Sequence, residues 1–223
     1  MHRGEEQVDR SKERIESVEV LKNFIVLEGL DGAGTTTQLS LIDRRLGDLG
    51  VPHYCTFEPT DGAIGRLIRD ILAKTLPVQP QTLALLFAAD RMEHVESNGI
   101  RSHLEGGELV VCDRYLFSSL AYQSIDCGFD YVVSINEDFP LPELLLFLET
   151  PPEICQQRRQ NRGRPDLFDR VDIQNKVRQR YELAIDSFRH TSMNIRWIDG
   201  TPRAEEIGEN IWNIMLEMSI IKS

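Results

Sequence analysis

The residues best equipped for chemistry fall into a few short groups. Gly29-Leu30-Asp31-Gly32-Ala33-Gly34-Thr35-Thr36, followed by Thr37, is a glycine-rich run that ends in hydroxyls. Placed between a strand and a helix, such a run lets backbone N–H groups curl around phosphate oxygens, while the start of the helix adds partial positive charge. Thr36 falls where a hydroxyl would ligate magnesium. The strict pattern has lysine just before that hydroxyl, and Thr35 occupies its place. Read by itself, the segment is open to a second reading as a structural turn.

Other groups point to an anion and a flat ring. Asp113-Arg114-Tyr115 follows an apolar run, and a guanidinium there offers a planar fork to two phosphate oxygens. Phe87 and Arg91 are four apart and share one face of a helix, a flat apolar wall beside a directional donor. A core phenylalanine beside a surface arginine is the plainer alternative. Arg158, Arg159, Arg162, Arg164 and Arg170 gather around a Gly-Arg-Pro segment, and Asp199-Gly200-Thr201 forms a polar turn near the end. Charge runs are more often solvated faces, so the arginines take meaning from their place in the fold.

That place is set by alternating elements. The apolar runs at 24–27, 54–57, 109–112, 144–148 and 195–198 read as short strands, the continuous ones as strands covered on both faces. Helical periodicity predicts helices over 38–49, 64–72, one long helix over 81–104, then 118–123, 152–160, 171–190 and 204–220. The expected fold is α/β, a five-stranded parallel sheet with helices on both faces, whose ligands sit beyond the carboxyl ends of the strands. Residues 1–21 are dominated by charge and are read as an extension of one domain spanning 22–223.

Composition narrows the partners. Lys and Arg number 25 against 36 Asp and Glu, a net charge of -11, which disfavours nucleic acid and anionic membranes but leaves room for a small phosphorylated ligand at a local basic site. Cys55, Cys112, Cys127 and Cys155 form no C-x-x-C pair, and the five histidines show no metal-ligand spacing. With no apolar run of membrane length and no signal-peptide core, a cytoplasmic protein is expected.

Taken together, FIVLEGLDGAGTTTQ at 24–38, TFEPTDGAIGRLIRDIL at 56–72, LLFAADRMEH at 85–94, VVCDRYLFSSLAYQ at 110–123 and WIDGT at 197–201 resemble thymidylate kinase. The resemblance runs from about residue 24 to the C-terminus. It implies a P-loop NTPase fold of the nucleoside-monophosphate kinase type with a mobile Arg-rich lid at about 158–170. The implied activity is transfer of the γ-phosphoryl group of ATP to dTMP, with Mg2+ accompanying ATP and a homodimer as the assembly. On this likeness ATP is held by Gly29, Leu30, Asp31, Gly32, Ala33, Gly34, Thr35, Thr36, Thr37, Asp199, Gly200 and Thr201. The acceptor nucleotide would meet Phe57, Glu58, Arg69, Phe87, Arg91, Asp113, Arg114, Tyr115, Ser119, Tyr122 and Gln123. Thr36 and Asp113 are the implied metal positions, and Asp31, Arg114, Arg158, Arg162 and Arg164 the implied catalytic set.

Thr35, Phe57 and Leu167 depart from the family pattern, and each removes positive charge near the phosphates. Losing one well-placed cation costs on the order of 2–4 kcal/mol of transition-state stabilisation. Three readings follow: an active dTMP kinase in which lid arginines replace the lysine, a non-catalytic nucleotide-binding relative, and a kinase for another nucleoside monophosphate.

Overall fold

In a computed structural model, residues 18–96, 98–160 and 171–222 are described. Five strands form one parallel sheet: β1 (Val20–Gly29), β2 (His53–Phe57), β3 (Leu109–Asp113), β4 (Leu141–Glu149) and β5 (Asn194–Asp199), in the order β2-β3-β1-β4-β5. The expected five-stranded parallel sheet is therefore present. β1 lies in the middle, and its Phe24-Ile25-Val26-Leu27 run is fully buried, as a strand covered on both faces requires. β1 begins at Val20, inside the span read as an extension, because Val20 and Leu21 pair with Leu141 and Pro142. The register then shifts before Ile25. Asn23 turns to a φ of 59°, and its N–H donates to Glu143 Oε2 at 2.7 Å.

The helices fill both faces. α1 (Thr35–Asp48) packs against β1, β2 and β3, and α10 (Ala204–Glu217) lies beside it, joined by the Arg45–Glu209 pair at 2.8 Å. On the other face lie α4 (Ile100–Glu105), α5 (Leu116–Tyr122) and α9 (Val171–Ser187), the last two packed on each other. α2 (Ala63–Leu72) and α3 (Pro80–Glu96) form a smaller apolar cluster around Ile68, Ile71 and Leu83, and Phe87 packs against it. α6 (Ser124–Cys127) and α7 (Phe129–Ser134) are single-turn pieces, and α8 (Pro152–Gln160) carries the first of the clustered arginines. No helix among the described residues is long and apolar enough to cross a membrane.

The single long helix expected over 81–104 is instead two, α3 and α4, with Gly99 between them. Asn98 turns to a φ of 55°, which ends the helical path, and the turn brings Gly99 so close to α3 that a Cβ on it would lie 1.7 Å from the carbonyl oxygen of His94. Gly99→Ala is therefore expected to force that backbone apart and destabilise the protein by about 1–3 kcal/mol in urea unfolding.

Candidate active site

β1 and β3 end side by side, with Leu27 opposite Asp113. The turn leaving β1 is the glycine-rich loop, and the turn leaving β3 carries Arg114. The Arg114 N–H donates to Leu27 O at 2.9 Å, which holds the two turns together. Gly32 adopts a φ of 91°, and a Cβ there would lie 2.6 Å from Cys155 O, so only glycine lets the loop curl this tightly against α8. The loop opens α1 at Thr35, with backbone N–H groups at the helix start, the geometry suited to an anion. Leu30 and Ala33 are buried beneath it, Thr36 is exposed, and Thr37 is half-buried.

Thr35 itself is buried, and two cations from α8 reach the carbonyls of the loop. Arg158 Nη1 donates to Ala33 O at 3.1 Å and its Nη2 to Thr201 O at 3.5 Å, spanning the loop and the Asp199-Gly200-Thr201 turn. Arg159 donates to the carbonyl of Asp31. In the turn, Asp199 accepts from the Thr201 N–H at 2.9 Å and its hydroxyl at 2.7 Å, bonds that hold the Asp199 carboxyl below its ordinary range. Arg162 and Arg164, with Leu167, lie outside the described residues, as does most of the segment read as a lid.

Beside the loop opens a cavity of about 430 Å³, lined by Asp31, Thr36, Phe57, Glu58, Arg69, Phe87, Arg91, Asp113, Arg114, Tyr115, Tyr122 and Gln123. Residues far apart in the chain are thus brought to one wall or another of a single space. Ser119 stands behind that wall and accepts from Arg91 Nη2 at 3.1 Å. Arg69 is anchored on its own turn by Pro59 O at 2.6 Å and Thr60 O at 2.7 Å. Tyr122 accepts from the Asp31 N–H at 3.1 Å, and burial pushes its phenol up, so it stays neutral.

Arg91 is more constrained than the sequence implies. Nε and Nη2 donate to Glu58 Oε2 at 3.0 and 2.8 Å, a further Nη2 bond reaches Ser119, and Nη1 donates to Asn136 Oδ1. Four of its five donors are so engaged, leaving one for a ligand's edge. Glu58 also faces His94 Nδ1 at 3.1 Å, and Asp90 fixes the neighbouring turn by accepting from the Thr60 N–H and hydroxyl, both at 2.7 Å. Gln123 Oε1 is buried without a hydrogen-bond partner among the described residues, and Gln123 lines the same cavity.

At the end of the cavity nearest the loop, Thr36 Oγ1 donates to Asp113 Oδ2 at 2.6 Å, while Asp113 Oδ1 is buried with no hydrogen-bond partner among the described residues. An unpartnered carboxylate oxygen beside a hydroxyl, next to an anion-binding loop, fits a magnesium ion or its bound water. Arg114, at a φ of 74°, pairs with Asp31 through Nη2 at 2.7 Å, and its Nη1 donates to Gly29 O at 3.1 Å and to the Ser118 and Tyr181 hydroxyls, both at 3.2 Å.

Those hydroxyls can accept from Arg114 because Glu28 takes their protons. Ser118 Oγ donates to Glu28 Oε2 at 2.6 Å and Tyr181 OH donates to it at 2.9 Å, while Oε1 accepts from the N–H groups of Tyr115 at 2.8 Å and Ser118 at 3.1 Å. Sequence reasoning missed Glu28, Asp90, His94, Asn136 and Tyr181. Glu28 carried one signal, a lone carboxylate at the end of an otherwise apolar strand.

Burial pushes the Glu28 carboxyl from the ordinary 4.5 up to about 7, against the pull of Arg114 and its four donors. Because the folded value is raised, its contribution to stability is complete below about 4.5 and fades as pH rises through about 7, a change of roughly 3 kcal/mol. Glu28→Gln mimics the neutral form. Urea unfolding is expected to show the variant gaining on the parent as pH rises from 4.5 to above 7, and a constant difference would contradict this account.

The sequence pattern of thymidylate kinase matches residues 27–211. A Treponema pallidum (strain Nichols) protein provisionally assigned as thymidylate kinase is 39% identical over 207 residues, covering 91% of this chain and 99% of its own. A Pyrococcus abyssi (strain GE5 / Orsay) protein with a similar assignment is 38% identical over 84% of this chain and 93% of its own. The thymidylate kinase of Carboxydothermus hydrogenoformans (strain ATCC BAA-161 / DSM 6008 / Z-2901) is 36% identical over 86% of this chain and 94% of its own. With fold, loop and cavity in the places described, the chain belongs to the thymidylate kinase family.

Proposed function

We propose that this protein is a kinase that moves the γ-phosphoryl group of ATP to dTMP, giving dTDP and ADP. The observation that carries the reading is one cavity that joins an anion-binding loop and Arg114 at one end to Phe87, Arg91 and Gln123 at the other. The ring of Phe87 offers a face to thymine, while the remaining Arg91 donor and the unpartnered Gln123 Oε1 offer complementary contacts to its edge. Arg114 is the fork for the acceptor phosphate. When that phosphate takes the fork, Asp31 is released to accept from the sugar hydroxyl.

Magnesium bound with ATP neutralises charge on the phosphate oxygens during transfer. Thr36 and Asp113 are the residues that would hold it. Arg158 and Arg159, seated against the loop, supply the positive charge that lysine would bring at position 35. Arg162 and Arg164, outside the described residues, are assigned on this reading to the charge of the transferring phosphate. Leu67, Leu85 and Met92 leave apolar surface exposed on α2 and α3, a face suited to a homodimer. A cytoplasmic setting is part of the same reading.

Purified protein with magnesium, ATP and a panel of nucleoside monophosphates tests the reading. ADP formation should be fastest with dTMP. Lack of turnover with retained nucleotide binding would favour a non-catalytic relative, and a different preferred acceptor would reassign the substrate. Arg114→Ala is expected to lower kcat/KM for dTMP by about a hundredfold or more. Thr35→Lys should bind ATP at least as tightly as the parent by calorimetry, and markedly weaker binding would mean the loop geometry depends on threonine.

A further inference from the structure

At the amino end of the edge strand β2, the end opposite Phe57, three side chains of different chemistry meet. His53 and Cys55 alternate along β2 and so point to one face of the sheet. That face is covered by α1, which brings Asp43. One ligand atom from each residue lies within 4.8 Å of the others. Gly47, one turn beyond Asp43, leaves room for the imidazole, since even a Cβ there would come only to 4.0 Å from His53 Cε1.

The imidazole is held in a defined state. Its Nδ1 lies 2.7 Å from Val51 O, and a carbonyl oxygen can only accept, so Nδ1 carries the proton. In the neutral ring the lone pair is then on Nε2, which faces Asp43 Oδ1 at 3.2 Å. Two acceptors so close need a proton or a metal cation between them. A backbone carbonyl on one ring nitrogen is also what orients a histidine for metal ligation through the other.

We propose that Asp43, His53 and Cys55 form a binding site for a zinc-class divalent cation, separate from the kinase centre. The donor set, one imidazole, one sulfur and one carboxylate, suits zinc rather than magnesium or calcium. Bonds of about 2.0–2.3 Å at tetrahedral angles place neighbouring donors roughly 3.3–3.7 Å apart, close to the observed 3.2 Å between Nε2 and Oδ1. On binding, the Cys55 thiol gives its proton to solvent. Thiolate and carboxylate then balance the two charges of the metal, and the half-exposed setting leaves the fourth position to water. The ion would staple β2 to α1. The other end of β2 delivers Phe57 and Glu58 to the acceptor cavity, about 13 Å along the strand, so the expected role is to brace the scaffold.

The test uses the untagged full-length chain, stripped with chelator and titrated with cobalt(II) alone, followed by displacement with zinc(II). One cobalt per chain is expected, with near-ultraviolet sulfur-to-cobalt charge-transfer absorption that zinc removes. Cys55→Ser should abolish that absorption, whereas Cys127→Ser should retain it. His53→Gln and Asp43→Asn should weaken binding at least about tenfold. Circular dichroism checks that each variant is folded; if Cys55→Ser is not, the His53 and Asp43 variants decide the matter by the same titration. Absorption that survives Cys55→Ser, equal affinity in the His53 and Asp43 variants, or no saturable cobalt binding would overturn the proposal and leave a simple imidazolium–carboxylate pair with a neighbouring thiol.

Discussion

The hydrogen bond from Arg114 N–H to Leu27 O, at 2.9 Å, is the contact on which the candidate site depends. It carries the pairing of β1 with β3 one residue beyond the end of β3, just as the chain turns to a φ of 74°. That bond brings the two turns together, and Asp113 is thereby set beside Thr36. A bulky residue at positive φ costs of order 1–3 kcal/mol and persists only where its surroundings over-determine it. Here the side chain donates to three acceptors, Gly29 O and the Ser118 and Tyr181 hydroxyls, and adds the Asp31 ion pair to the backbone bond.

The chain is acidic overall, yet its interior charges are arranged in matched groups. Arg91 is almost fully buried against Glu58, Asn136 and Ser119, with the Tyr115 ring 5.1 Å from its guanidinium carbon. Buried charges are costly, and removing one partner leaves the other uncompensated. Rigidity is the return: a cavity wall made of such a group keeps its shape before a ligand arrives. Glu28 does the same one layer deeper, since the Ser118 and Tyr181 hydroxyls both donate to its Oε2, which fixes the way each points.

Much of this was legible in the residue order. Runs such as Leu109-Val110-Val111-Cys112 and Leu144-Leu145-Leu146 announce strands because no solvent-facing alternation interrupts them, and the glycines of the loop announce a turn that few residues can make. What could not be read were relations between distant segments. Helical periodicity runs on past Glu96, where α3 ends, because the turn of Asn98 to a φ of 55° and the close approach of Gly99 to the carbonyl of His94 leave no mark on the apolar spacing. The gathering of arginines after 157 was visible as charge, but not that Arg158 and Arg159 turn inward onto loop carbonyls. Asp43, His53 and Cys55 lack any spacing rule, since one comes from a helix and two from a strand.

The Asp31–Arg114 pair, 2.7 Å apart, has a consequence for how a phosphate would enter. The guanidinium is already neutralised by a tethered anion, so entry is an exchange of one partner for another rather than capture by a bare charge. Exchange of this kind releases few counterions, which makes affinity less dependent on ionic strength than an open basic patch would be. It also discriminates by valence: a dianionic ester can outcompete a carboxylate that a monoanion would merely match.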